Sequence, residues 1–224
     1  MINVLWVINA PLPEAMTGLK GAKCESNSTG SWLCALSYAV SQEPKIHLAI
    51  VAPSDEITDL TIIQSGDILH YLVPNSTHIK ACDHSYERYL LLIRSDFKPD
   101  VIHVHGTEYP FFLTAIKIFG RENTVISLQG IISEISKVYL GGIPSATLAK
   151  YISIRDLLRR DSVFHQRIRM EKRSKSEIEL LKSARYVIGR TEWDSKILRT
   201  LNPDAVYFHC DELLRDEFYS GTWR

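Results

Sequence analysis

The chain has 224 residues, of which 45% are hydrophobic and 23% charged, so it has enough apolar material for one large globular core. Its 26 basic and 26 acidic residues cancel to a formal charge of zero, which gives no reason to expect a nucleic-acid partner. No apolar run has the length of a membrane span, and the four cysteines have neither CxxC nor paired spacing. Together with an N-terminus that lacks a leader pattern, these features predict a cytoplasmic protein.

The first predicted element is a buried strand over residues 3–8, a near-continuous apolar run typical of a parallel sheet. We expect a long polar loop after it, which carries Gly18, Gly21 and Gly30 and leads into a helix near Ser31. A glycine-bearing loop before a helix N-terminus can cradle a phosphate or a sugar hydroxyl. A plain surface loop before a capped helix explains the same pattern.

Strands and amphipathic helices then alternate along the chain. Further strands are predicted over residues 47–52, 68–73, 101–105, 124–128, 186–189 and 206–208, with polar turns between the first two. Helices are predicted over residues 86–97, 112–119 and 191–201. This alternation predicts an α/β fold with a doubly wound parallel sheet and helices on both faces.

The stretch KPDVIHVHGTEY, residues 98–109, is the centre of the predicted fold. Pro99 ends the preceding helix, and the strand after it places His103 and His105 on one face. Ligands of open parallel sheets bind at the carboxyl ends of strands, so His105 is a candidate site residue. A hydrogen-bonded core histidine is the alternative. Two histidines without further converging ligands predict no metal site.

Residues 141–182 form a different kind of segment. A loop with Gly141, Gly142 and Pro144 is followed by a predicted helix and a locally basic stretch. A basic amphipathic segment can lie against anionic lipid, but a charge-rich helix is more often a solvated face, and both interpretations remain open. The last residues, 211–223, are polar and are predicted to have no closing element of their own.

Three stretches, KPDVIHVHGTE, TVISLQG and SARYVIGRTEWDSKILRTLNPDAVYFHCDELLRDEFY, together resemble the N-terminal half of a family 4 glycosyltransferase of the GT-B fold. The resemblance implies a Rossmann-like, acceptor-side domain over residues 1–210 and the start of an interdomain linker over residues 211–224. The C-terminal, donor-binding domain, which carries an E-x7-E motif in this family, would then follow residue 224.

The resemblance also implies an activity. Such an enzyme moves a sugar from a nucleotide-diphosphate sugar to a glycan or lipid-linked acceptor, in surface polysaccharide or glycolipid synthesis. It would be a retaining hexosyltransferase without a metal or other cofactor, cytoplasmic or peripheral at the inner face of the membrane. Two alternatives remain: one half of a GT-B nucleotide-sugar epimerase, and a non-catalytic module that binds a sugar or nucleotide.

Carried over by position, the resemblance implies that His105 lines the acceptor side of the cleft as the catalytic candidate. The first-loop glycines would approach the donor phosphates, and Gln129 stands where many relatives have a histidine. The implied substrate-binding residues are Gly18, Gly21, Gly30, Gly106, Thr107, Glu108, Gln129, Gly130, Arg190, Thr191 and Glu192.

Overall fold

The computed structural model describes residues 1–21, 31–75, 84–213 and 216–222. The predicted site residue Gly30 lies outside the described residues. Within them, eight strands form one sheet in the order β3-β4-β2-β1-β5-β6-β7-β8. The strands are β1 Ile2–Val7, β2 Ile46–Ser54, β3 Thr61–Ser65, β4 Ile68–Pro74, β5 Val101–His105, β6 Thr124–Ser127, β7 Tyr186–Gly189 and β8 Val206–His209.

Helices cover both faces of this sheet. They are α1 Pro13–Lys20, α2 Ser31–Ser41, α3 His84–Phe97, α4 Phe111–Phe119, α5 Ile132–Ile135, α6 Ser145–Ala149, α7 Ile154–Arg159, α8 Val163–Ser183, α9 Glu192–Leu201 and α10 Asp216–Ser220. Short 3-10 turns lie at Arg121–Asn123 and Ser136–Val138. No helix within the described ranges is long and apolar enough to cross a membrane.

Two buried clusters show how the sheet is sandwiched. On one face, Leu12 near α1 and Leu33 of α2 pack on Trp6 of β1. On the other face, α3, α4, α8 and α9 pack on the alternate residues of the strands, such as Leu5. The predicted doubly wound α/β fold is therefore confirmed.

The strand order reverses between β1 and β5, its two central strands. From β1 the chain winds outward through β2 and β4, whereas from β5 it winds in the opposite direction through β6, β7 and β8. This reversal creates the topological switch point at which open α/β sheets bind ligands. The crevice at the carboxyl ends of β1 and β5 is therefore the first place to look for a site.

One strand was not predicted. β3 pairs antiparallel with β4 through a tight turn at Gly66, so the sheet is mixed and not wholly parallel. The expected polar turn at this place is wrong because Thr61–Ser65 alternates outward and inward residues, as an edge strand does.

The expected long loop after β1 is also wrong. Pro13 and Glu14 start helix α1, which ends at Gly21 in the left-handed conformation with φ of +67°. Gly18 lies inside this helix, where a Cβ atom would come within 2.6 Å of the Ile63 Cγ2 atom in β3. Close packing of α1 on the edge strand explains this glycine.

The segment of residues 141–182 contains the two short helices α6 and α7 and most of the long helix α8, where a single helix was expected after the glycine loop. Ser153 and Asp156 form a capping box that starts α7 and separates it from α6. At the other end of the chain, α10 at Asp216–Ser220 corrects the expectation of a tail without an element of its own.

Candidate functional site

His105 ends β5 at the switch point and is almost completely buried, with 3% of its surface exposed. Strand alternation puts His103 on the same face, and the two imidazole rings are in contact, with centroids 3.8 Å apart and planes inclined at 32°. The indole ring of Trp6 lies 4.4 Å from His105, and that of Trp32 lies 5.7 Å from it. Trp6 belongs to β1 and Trp32 to α2, so three elements meet around this one ring.

The two histidines differ in their hydrogen bonds. His103 Nε2 lies 2.6 Å from the hydroxyl oxygen of Ser127 in β6. By contrast, neither ring nitrogen of His105 has a partner among the described residues. An unpartnered buried polar group is costly, so at the switch point of the sheet these two nitrogens mark a place that a ligand or water can complete.

Burial keeps both rings neutral at physiological pH. It lowers the pKa of His103 to about 4, because the charged form cannot be solvated. Burial also holds the pKa of His105 well below its ordinary value, and the neighbouring His103 lowers it further. A neutral imidazole has one donor and one acceptor nitrogen, so His105 can both give and receive a hydrogen bond.

The turn after His105 is held in an unusual conformation. Gly106 has φ of +111°, and a Cβ atom there would come within 2.3 Å of the Glu108 carboxylate. That carboxylate accepts a 3.0 Å hydrogen bond from the Thr107 backbone N–H. Burial raises the pKa of Glu108, while these backbone hydrogen bonds oppose the rise. The Glu108 carboxylate is therefore hydrogen-bonded to the backbone of its own turn, and only glycine fits at position 106.

Glu177 of α8 has 0% of its surface exposed, and its carboxylate is hydrogen-bonded to two loops at this edge of the sheet. One carboxylate oxygen accepts a 2.5 Å hydrogen bond from the Thr107 hydroxyl and a 3.0 Å bond from the Ile132 N–H. The other accepts a 2.6 Å bond from the Ser133 N–H. Because the Thr107 hydroxyl also lies 3.3 Å from the Gly130 carbonyl, the loops after β5 and β6 are fixed to each other.

Arg190, at the end of β7, connects the next loop to the same edge. Its guanidinium donates a 3.0 Å hydrogen bond to the backbone carbonyl of Gln129. A second guanidinium nitrogen lies 2.5 Å from the carboxylate of Glu212, in the segment after β8. Both side chains are about a third exposed or less, so this ion pair forms the rim of the site.

A largely apolar cavity of about 270 Å³ runs from this rim along the sheet beneath α2. The rings of His103 and His105 form part of its wall. Its remaining lining residues are Val4, Trp6, Trp32, Leu36, Val40, Ile46, Ser127, Leu128, Gln129, Ile188, Gly189, Arg190, Cys210, Asp211 and Glu212.

The predicted site residues do not all converge. The structure brings together His105, Gly106, Thr107, Glu108, Gln129, Gly130 and Arg190 at the carboxyl ends of neighbouring strands. Thr191 instead caps α9, where its hydroxyl accepts a bond from the Asp194 N–H, and Glu192 forms an exposed ion pair with Lys196. Their substrate-binding roles stay predictions.

Gly18 and Gly21 lie away from this group. Helix α1 contacts β3, and β4, β2 and β1 separate β3 from β5. Among the described residues, no group of three or more histidine, cysteine, aspartate or glutamate side chains is arranged to hold a metal ion.

The site residues that were not predicted from the sequence include Trp6, Trp32, Glu177 and Glu212. Trp6 and Trp32 look like ordinary core residues of a strand and a helix. Glu177 lies in a charge-rich helix where any carboxylate looks solvated. Nothing in the neighbouring sequence distinguishes Glu177 from the exposed charged residues of the same helix.

Neither protein-family models nor curated proteins give a match to this sequence. Among solved structures, sucrose-phosphate synthase from Thermosynechococcus elongatus is similar, with a TM-score of 0.52 and 9% identity over 93% of this chain. A trehalose-6-phosphate structure from E. coli, bound with UDP-2-fluoro glucose, has a TM-score of 0.40 and 12% identity over 88% of this chain.

The chain spans 47% of the sucrose-phosphate synthase chain and 41% of the second structure. At such low identity the similarity concerns the fold alone. Since sucrose-phosphate synthase is a GT-B glycosyltransferase, the chain has the Rossmann-like α/β fold found in one half of such an enzyme.

Proposed function

We propose that this chain is the acceptor-side domain of a glycosyltransferase, which transfers a sugar from a nucleotide-diphosphate sugar to a glycan or lipid-linked acceptor. The observation that carries the proposal is the imidazole of His105. It is buried at the switch point of the sheet, and neither of its nitrogens has a partner among the described residues. The similarity of fold to sucrose-phosphate synthase supports this class of reaction.

The proposed role of His105 is to orient a hydroxyl group. Its neutral ring offers one donor and one acceptor nitrogen, and close contacts with the tilted rings of Trp6 and His103 restrict its orientation. A hydroxyl held in line with the anomeric carbon gains reactivity because the entropy of alignment has already been lost in binding. Trp32 and the cavity beneath α2 would accept apolar surface of the same ligand.

Thr107, Glu108 and Glu177 support this role without touching the substrate in our proposal. They hold the turn after His105 through hydrogen bonds that already use the Thr107 hydroxyl and the Glu177 carboxylate. We propose that a second domain, outside these 224 residues, binds the donor and needs no metal. Retention at the anomeric carbon and transfer of a hexose are part of the same proposal.

The proposal is tested with the complete protein that contains this chain, a panel of UDP-, GDP- and ADP-linked hexoses, and mixed glycan and lipid-linked acceptors. Mass spectrometry should find a new glycoside together with free nucleoside diphosphate. An epimerised nucleotide sugar without glycoside would favour the epimerase, and binding without any product would favour a module that only binds. Either result would overturn the proposal.

A further inference from the structure

We propose that residues 141–160, here called the α6–α7 segment, bind an anionic lipid surface. None of the residues of α6 or α7 is buried, so neither helix contributes to the core. This inference rests on exposure and charge, and it does not depend on the proposed transferase activity.

The apolar side chains of the segment are unusually exposed. Tyr151 is 82% exposed, Leu158 81% and Ile154 78%, and Leu157 and Ile143 are also exposed. Exposed large apolar side chains grouped within one segment mark an interaction surface, whereas single ones are normal. Tyrosine beside aliphatic side chains is also the composition of a membrane interface, where one end of the ring is apolar and the other is hydrated.

The charge of the segment fits an anionic partner. Lys150, Arg155, Arg159 and Arg160 oppose a single acidic residue, Asp156, so the formal charge is +3 in a chain whose total is zero. No ion pair within the described part of the chain involves these four cationic side chains. Their long stems can lie along apolar surface while the charged ends reach lipid phosphates.

The sheet's carboxyl edge and the α6–α7 segment lie at the same end of the domain. Glu177 of α8 contacts the loops after β5 and β6, and α8 runs about four turns, roughly 21 Å, from Val163 to that point. Because α8 leads into β7, its start projects beyond the strand ends, and α7 precedes that start directly. A membrane bound by this segment would therefore face the His105 edge.

The mixture of charge and apolar surface favours lipid over a protein partner. Ile154, Leu157 and Leu158 are spaced three and four residues apart and share one face of α7, and Arg155 and Arg159 lie beside this face. Interfacial helices have this composition because one face enters the acyl boundary while the cations remain at the headgroups. If the proposed transferase is correct, this orientation suits a lipid-linked acceptor.

The test is co-sedimentation of the 224-residue chain with vesicles of phosphatidylcholine, with and without phosphatidylserine. We expect binding to the anionic vesicles, and we expect high salt to weaken it. Leu157→Ser with Leu158→Ser should lower the partition coefficient roughly tenfold or more, because two large apolar side chains are lost. Arg155→Glu with Arg159→Glu should have a similar effect.

The structure provides matched controls on α3 and α9. Leu91→Ser with Leu92→Ser changes two adjacent exposed leucines of α3, and Arg199→Glu reverses an exposed charge of α9. Both should bind vesicles like the parent chain. Failure of the parent chain to bind, or equal losses in these controls, would overturn the proposal. So would a dimer in light scattering that only the Leu157 and Leu158 substitutions dissociate, since the partner would then be a second copy.

Discussion

The hydroxyl of Thr107 donates a 2.5 Å hydrogen bond to the buried carboxylate of Glu177, 70 residues later in the chain. With this contact, helix α8 supports the turn that follows His105. The same carboxylate accepts bonds from two N–H groups at the start of α5, so one side chain holds two loops of the candidate site.

Glu177→Gln should therefore be destabilising although it changes few atoms. The amide would place an N–H group against the N–H of Ser133 or Ile132, which leaves a buried donor unsatisfied. We expect the free energy of unfolding in urea to fall by about 1–3 kcal/mol. Thr107→Val should be less costly in the Glu177→Gln background than in the parent chain, because the two residues interact directly.

Glu179→Gln is the matched control on the same helix. Glu179 is more than half exposed and pairs with Lys117 at the surface, so its loss should change the free energy of unfolding by less than about 1 kcal/mol. Equal effects of the Glu177 and Glu179 substitutions would show that the buried carboxylate does not support the loops.

Gly18→Ala tests whether that glycine serves packing. A methyl group would collide with Ile63 Cγ2, which cannot move without turning the whole side chain, so we expect a loss of about 1–3 kcal/mol in unfolding free energy. In an Ile63→Ala background the collision is absent, and the same change should stabilise by up to about 1 kcal/mol through helix propensity. Destabilisation of equal size in both backgrounds would refute the packing explanation.

Stability should fall as the pH is lowered through the histidine range. Burial lowers the pKa of His70 to about 4, as it does for His103, so the unfolded chain binds more protons than the folded chain between about pH 6.5 and 4. The stabilising contribution is complete above about pH 6.5 and declines below it, by about 2 kcal/mol per histidine between pH 7 and pH 5.

His70→Leu isolates one of these contributions, because His70 is buried in β4, three strands from the β5 histidines in the sheet. Urea unfolding at pH 7 and at pH 5 should show a smaller difference for this variant than for the parent chain. An unchanged difference would mean that folding does not lower the pKa of His70, either because the ring is protonated in the folded state or because water reaches it.

Local signals in the sequence predicted much of the fold. The alternation of strands and helices, Pro99 before β5, and the helix predicted over residues 191–201 were all interpreted correctly, because each depends on neighbours within a few residues. Two missed elements carried local signals as well: the Gly66–Asp67 turn between β3 and β4, and Pro13 with Gly21 at the ends of α1.

The site was harder to predict because its contacts join distant parts of the chain. His105 could be placed at a strand end, and its environment of Trp6, Trp32 and His103 follows only from the order of the strands. Glu177 could not be found at all, since its burial depends on loops 44 to 70 residues away. Long-range partners such as these leave no periodic trace in the sequence.

Residues 1–224 alone should not transfer sugar. In the proposed enzyme the donor is bound by a second domain, so the isolated chain lacks the groups that stabilise the departing nucleoside diphosphate. Nucleoside diphosphate release from the hexose panel should stay at the level without protein. Sustained release by the isolated chain would show that it carries the complete active site.

His103→Ala is a partial control for the site, because it removes the ring that contacts His105 and breaks the contact with Ser127. We expect a clear loss of stability and a smaller loss of turnover than for His105. His70→Ala is the stricter control, since it removes an equally buried histidine whose Nε2 atom has no partner among the described residues and which lies three strands from β5 in the sheet.

The most direct test of the central claim is the turnover number of the complete enzyme with His105→Ala, compared with His70→Ala. If His105 orients a reacting hydroxyl, His105→Ala should lower kcat by roughly ten- to thousandfold with the fold retained in circular dichroism. His70→Ala should lower stability and leave kcat within about twofold of the parent enzyme. Unchanged kcat in a folded His105→Ala enzyme would contradict the assignment of this strand end as the active site.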